Sequence, residues 1–90
     1  MERYHVQVKG TVQGVGFRYT AQMKATERHL TGWVKNKLDG TVELEVQGES
    51  SKIHSFIESL SEFKFPAKVE NIEKVSIPTL SKEDTFSITH

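Results

Sequence analysis

The sequence predicts one α+β domain over residues 1–90, a two-layer α/β sandwich with a mostly antiparallel sheet and two helices on one face. Three observations carry that expectation. Ninety residues leave room for a single core. Apolar residues switch between strand and helix periods in the order β-α-β-β-α-β, with a further short strand at the C-terminal end. Both helical stripes are one-sided, so the same sheet must cover each of them.

The first strand runs from about Tyr4 to Gly10, where Tyr4, Val6 and Val8 alternate with His5, Gln7 and Lys9. After a glycine-rich loop, Phe17, Ala21 and Ala25 recur at i, i+4 and i+8. They give a helix with a narrow, small-residue inner face that can sit close on a sheet. It should end near Arg28-His29. A second strand follows from about Thr31 to Lys37, through Trp33 and Val34, and Leu38-Asp39-Gly40 is a hairpin turn. In the third strand Val42, Leu44 and Val46 share a buried face, and Thr41, Glu43, Glu45 and Gln47 a wet one. Gly48-Glu49-Ser50-Ser51 breaks the sheet and offers a serine N-cap. Ile53, Phe56, Ile57 and Leu60 form the stripe of the second helix. Phe63 and Phe65 are expected to extend the core through the connection, with Pro66 stopping the helix. From Ala67 to Ile77 the apolar residues hold no single period, which reads as a fourth strand with a bulge. Residues 78–84 form a polar loop, and Phe86 and Ile88 alternate into a short edge strand. This order, with both helices on one face, is of the ferredoxin-like type.

Composition narrows the function. A hydrophobic fraction of 36% with 27% charged residues describes a globular chain, not a disordered one. The basic and acidic residues balance at 12 each, so no global field draws in nucleic acid or an anionic membrane. Any anion site must therefore be local. Cysteine is absent, which removes disulfides and thiolate nucleophiles. Met1-Glu2-Arg3-Tyr4-His5 lacks the apolar segment of a signal peptide, and no apolar run could span a bilayer. A cytoplasmic protein is expected. His5, His29, His54 and His90 lack metal-like spacing, and no metal is expected.

The stretch Val8-Lys9-Gly10-Thr11-Val12-Gln13-Gly14-Val15-Gly16-Phe17-Arg18 runs from a strand through glycines into a helix. Glycines there let backbone N–H groups converge without Cβ obstruction, and the helix N-terminus favours an anion. Arg18 adds a planar, charged fork suited to two oxygens of a phosphate. By spacing alone the stretch reads either as a phosphate site or as plain turn punctuation.

That run resembles, from Val8 to Arg18, the first signature of the acylphosphatase family. Gly32-Trp33-Val34-Lys35-Asn36-Lys37-Leu38-Asp39-Gly40-Thr41-Val42, closing at Gly48, resembles the second. The resemblance implies an acylphosphate phosphohydrolase that splits the carboxyl–phosphate bond of a small acyl phosphate into a carboxylate and inorganic phosphate. By similarity Gln13, Gly14, Val15, Gly16, Phe17 and Arg18 would form the phosphate cradle. Arg18 would bind the phosphoryl oxygens and Asn36 would orient the attacking water. No metal, cofactor or covalent phosphoenzyme belongs to that picture, nor does a nucleic-acid or membrane partner, and a monomer is expected.

Three places depart from the family pattern: Arg28-His29 at the end of the first helix, Lys64-Phe65-Pro66, and Thr89-His90. A non-glycine residue at such a helix end is expected to be slightly strained. Glu43 and Glu45 read as a solvated face rather than an acid pair. Trp33 and Tyr19 read as packing residues, with either ring an alternative lining for the acyl side of the pocket, and Lys35 and Lys37 as solvated ones. A nucleic-acid module would want exposed aromatics on a basic sheet face, where Glu43 and Glu45 stand instead. A non-catalytic phosphate sensor has no need of a water-orienting amide such as Asn36.

Overall fold

Alternation at the N-terminal end forms β1 (Glu2–Thr11), the first element of a computed structural model that describes residues 1–90. It is followed by α1 (Phe17–Glu27), β2 (Thr31–Asn36), β3 (Val42–Gly48), α2 (Ser50–Leu60), β4 (Lys68–Ile77) and β5 (Phe86–Ile88). The sheet order is β4-β1-β3-β2-β5. Every pairing is antiparallel except that of β5, which lies parallel along β2. This is the ferredoxin-like βαββαβ sandwich with a short added edge strand, as the residue pattern predicts. No helix is long and apolar enough to cross a membrane.

The core lies between sheet and helices. Val6 and Val8 of β1 stand opposite Leu44 and Val42 of β3, and all four are fully buried. Ala21 and Ala25 bring α1 close against β2 and β5, while Ile53, Phe56 and Leu60 seat α2. Small residues on α1 shorten its distance to the sheet, and that brings its N-terminal end to the end of β2.

Local departures from the expected pattern have physical causes. The N-cap of α2 is Glu49 rather than a serine; it makes no side-chain cap bond, and the Ser51 hydroxyl donates to its carboxylate at 2.9 Å. Phe63 does pack on the core, with its ring 4.4 Å from that of Phe17. Phe65 does not. Its side chain is 94% exposed beside a cis peptide to Pro66, and Ala67 takes the buried place in the turn into β4. The helix has already ended at Leu60, ahead of Pro66. The broken period of β4 is a bulge: Lys9 pairs with Asn71 but Gly10 with Val69, which leaves Glu70 extra.

The outer face of β3 is not simply wet. Arg3, which lies ahead of the strand predicted there, is only 1% exposed on that face. Its guanidinium donates to Glu45 at 2.9 Å, to Gln47 at 3.2 Å, and to both Glu83 oxygens at 2.7 and 3.2 Å. Gln47 in turn exchanges two hydrogen bonds with the Leu80 backbone, at 2.8 and 2.9 Å. These contacts clamp the loop before β5 across the sheet. Burial alone would raise the Glu83 carboxyl, but hydrogen bonds from Arg3 and Thr31 and the Arg3 charge outweigh it and hold it below the ordinary glutamate range. Glu43, also expected in solvent, accepts from His5 at 2.7 Å and lies 3.6 Å from Lys35.

The end of α1 bears out the expected strain. Leu30 N–H bonds Ala25 O at 3.0 Å and His29 N–H bonds Thr26 O at 3.1 Å, a Schellman turn that puts His29 at φ 59°. His29→Gly should therefore raise stability by about 0.5–1 kcal/mol, read by urea unfolding. A second expectation concerns acid. Because the Glu83 carboxyl is depressed in the fold, its contribution is complete above its unfolded value and is lost as pH falls through its folded one. Glu83→Gln should cost about 1–3 kcal/mol at neutral pH. The gap from wild type should close towards pH ~2 in a series of urea melts.

Candidate functional site

The site begins where β1 ends. Val12 and Phe17 are each buried, at 1% exposure, and residues 13–16 loop outward between them. Gly14 and Gly16 adopt φ 73° and 79°, the left-handed region that a side chain with a Cβ resists. Gly16 is also the N-cap of α1, so no side chain caps the helix, and no acidic residue occupies its first turn. The N–H groups of that turn are left for an outside acceptor, and the helix dipole favours an anion there. Arg18 stands at the same mouth.

The hairpin between β2 and β3 supplies the opposite wall. Asn36 is the last residue of β2. It follows Val34 on the helix-facing side, since alternate strand residues share a face. Its side-chain Oδ1 is buried and has no hydrogen-bond partner. The hairpin is stiffened by Thr41, whose N–H and hydroxyl donate to Asp39 at 3.0 and 2.6 Å and hold that carboxyl below its ordinary range.

Gln13 ties the two walls together. Its Nε2 donates to Lys37 O at 2.7 Å and to Thr41 O at 2.9 Å. The side chain of this expected cradle residue therefore serves as a brace between loop and hairpin. Of the six expected cradle residues, Gly14, Gly16, Phe17 and Arg18 line a cleft of about 390 Å³; Gln13 and Val15 do not. Asn36 lines the same cleft, so the structure brings together the two residues of the sequence-predicted reaction centre.

The cleft also holds residues outside the predicted site. Tyr19, which the sequence left either to pack or to line the acyl side of the pocket, is 62% exposed at the cleft wall. Ile88 and His90 arrive through β5, because Val34 pairs with Ile88 in parallel and Thr89 N–H bonds Val34 O at 2.8 Å. Continuing that register sets His90 beside Asn36. The Nη1 of Arg18 lies 3.3 Å from His90 Nδ1. A second hollow of about 530 Å³ adjoins the first, sharing Asn36 and His90 and extending along Lys35, Lys37 and Glu43. Lys35 sits 5.7 Å over the Trp33 ring and close to Glu43, so it is engaged rather than free in solvent. A separate hollow of about 550 Å³ beside Trp33 and residues 80–85 shares no residue with the cleft. No three His, Cys, Asp or Glu side chains cluster as metal ligands would.

Comparison with known proteins accords with this geometry. The family model described as Acylphosphatase matches residues 4–88. The chain is 47% identical to an acylphosphatase of Geobacillus kaustophilus over 90 residues, covering 100% of this chain and 96% of that protein. It is 51% identical to one of Geobacillus thermodenitrificans at the same coverage. The crystal structure of acylphosphatase from Bacillus subtilis superimposes with a TM-score of 0.95 at 41% identity, covering 100% of both chains.

The loop conformation can be tested directly. A Cβ at Gly14 would meet no atom within 4 Å, so only its φ of 73° resists a side chain. Gly14→Val should cost about 1–2 kcal/mol in stability, with Gly14→Asn costing clearly less, since asparagine tolerates the left-handed region. Equal stabilities on urea titration would mean that the loop does not need this conformation.

Proposed function

The chain belongs to the acylphosphatase family, and on that premise we propose that it hydrolyses acyl phosphates by attack of an Asn36-oriented water on a phosphoryl group held by Arg18 and the loop backbone. The family's members are hydrolases of small acyl phosphates. The single observation that carries the finer reading is the buried, unpartnered Oδ1 of Asn36 in the cleft that Arg18 lines. An orphaned buried acceptor costs about 1–3 kcal/mol, and here a donor from outside the protein would satisfy it.

The proposed reaction uses little machinery. The phosphoryl group enters the cleft with two of its oxygens on the Arg18 fork and others on the N–H groups at the start of α1. These donors are fixed before charge develops on the equatorial oxygens, which is where their stabilisation counts. Asn36 Oδ1 accepts a hydrogen bond from the water and so aims a lone pair of the water oxygen at phosphorus. The new P–O bond forms as the P–O bond to the acyl group breaks, and the carboxylate departs with that electron pair. A carboxylate leaves without needing a proton, so no general acid is required. An amide is too weakly basic to take the water's proton, which passes to a phosphoryl oxygen. The Gln13 brace sets the distance between the Asn36 hairpin and the loop, and thus the alignment of water and phosphorus.

Benzoyl phosphate hydrolysis, followed with and without a chelator, tests the assignment. Asn36→Ala should lose roughly a hundredfold in kcat while phosphate still binds. Its stability should stay level or rise, because an unsatisfied acceptor is removed. Arg18→Ala should lose both phosphate affinity and turnover, since the guanidinium holds the anion in the ground state and holds it more strongly as charge builds on the equatorial oxygens. Equal loss of phosphate binding in Asn36→Ala would assign that residue to binding instead, and turnover abolished by the chelator would demand a metal.

A further inference from the structure

We propose that the acyl group of the substrate is read by Tyr19, backed by Met23, so that the site favours acyl phosphates with an aromatic or extended apolar acyl group. The inference rests on the reading of Asn36 as the residue that orients the water. In an in-line displacement the attacking and leaving oxygens lie on opposite sides of phosphorus. The acyl group therefore leaves from the end of the cleft away from Asn36. The second hollow does not take it, because that hollow opens beyond Asn36, along Lys35, Lys37 and Asp39, on the side of the water. Ile88 belongs to that side as well, since it pairs with Val34 on the strand that ends in Asn36.

At the other end one side chain is free to meet a substituent. Val12 and Phe17 are turned into the core, Gly14 and Gly16 offer backbone alone, and Arg18 is taken by the phosphoryl group. Tyr19 remains, exposed at the cleft wall. Its ring takes no part in the ring pairs of the fold, which join Tyr4 with His54, Phe17 with Phe63 and Phe56 with Phe86. Its backbone is nonetheless fixed, because it sits in the first turn of α1, which the buried Phe17 anchors. Met23 stands at i+4 from Tyr19 on the same helix face and is also exposed. Side chains on a helix lean towards its N-terminus, so Met23 covers the turn beneath Tyr19 and tilts towards the cleft. Two large side chains exposed together in this way leave apolar surface in water, and an apolar acyl group would cover it. The flat face of the ring suits a benzoyl group or an alkyl chain.

The test compares benzoyl phosphate with acetyl phosphate, which lacks the ring, in wild type, Tyr19→Ala, Tyr19→Phe and Leu38→Ala. Tyr19→Ala should lower kcat/KM for benzoyl phosphate roughly threefold to tenfold more than for acetyl phosphate, the worth of one ring contact. The extra loss should appear in KM rather than kcat, since the substituent lies away from the breaking bond and touches Tyr19 in ground and transition states alike. A general disturbance of α1 would instead lower kcat for both substrates. Tyr19→Phe keeps the ring and should keep the wild-type ratio between them. Leu38→Ala removes the one apolar side chain of the second hollow and should keep that ratio too. Binding is measured in parallel with phenacylphosphonate and acetonylphosphonate, in which a methylene replaces the bridging oxygen and blocks hydrolysis. Their affinity ratio should fall by the same factor in Tyr19→Ala. Equal effects of Tyr19→Ala on both substrates would overturn the proposal, as would a phenylalanine variant no better than alanine. So would a preference that Leu38→Ala removes. Should wild type turn over neither substrate, the hydrolase reading fails, and the two phosphonates still decide whether Tyr19 reads the acyl group.

Discussion

Everything at the site depends on two buried anchors placed close together in the chain. Val12 and Phe17 are both driven into the core, one at the end of a strand and the other at the start of a helix. Burial of each stabilises the fold by about 1.5–3 kcal/mol, so neither end of the intervening loop can drift. The backbone between them has to reverse outside the core, and it does so through left-handed glycines that turn its N–H groups towards solvent. The proposed anion-binding mouth is thus a by-product of packing: the core decides where the loop is, and the glycines decide which way it faces.

The two faces of the sheet divide the remaining work. The helix face is apolar, and it sets α1 against the end of β2, where Asn36 stands. The outer face carries the Arg3, Glu45, Gln47 and Glu83 network, which holds the segment leading into β5. A buried arginine with this many partners is costly to strip of any one of them, which favours a single seating of that segment. Gln22 adds a bond of 3.1 Å to Phe86 O from the helix side, so β5 is held from both layers. Residues far from the cleft thereby fix the strand that brings Ile88 and His90 into it.

The fold was legible in the sequence because its signals were periodic. Strict alternation in Val42, Leu44 and Val46 and the helical spacing of Ile53, Phe56 and Leu60 each report a one-sided burial that the structure contains. The proposed reaction centre was legible for a different reason: Arg18 and Asn36 lie inside contiguous motifs whose resemblance reached beyond what spacing could argue. What escaped were features created by pairing between distant segments. Arg3 looks like an ordinary surface charge until β3 and the loop of residues 80–85 close over it. Gln13 shows no structural role of its side chain until the hairpin carbonyls are seen to take both its hydrogens. Phe65 is apolar and next to core residues in sequence, yet the turn it occupies points it outward, and periodicity carries no information within a turn. His90 has no local pattern at all; only the parallel register of β5 against β2 reveals its place.

That parallel register also makes the cleft an indicator of complete folding. Arg18 and His90 are 72 positions apart, and Gln13 reaches a carbonyl 28 positions further along the chain. Contacts at such separations form only after intervening segments have docked, because each requires closing a long loop. A collapsed intermediate with its helices formed but β5 undocked would lack the wall carrying Ile88 and His90, and so would present an open shelf rather than a cleft. Recovery of the intact cleft during refolding would therefore mark the last strand's arrival, later than any probe of the hairpin or of α2.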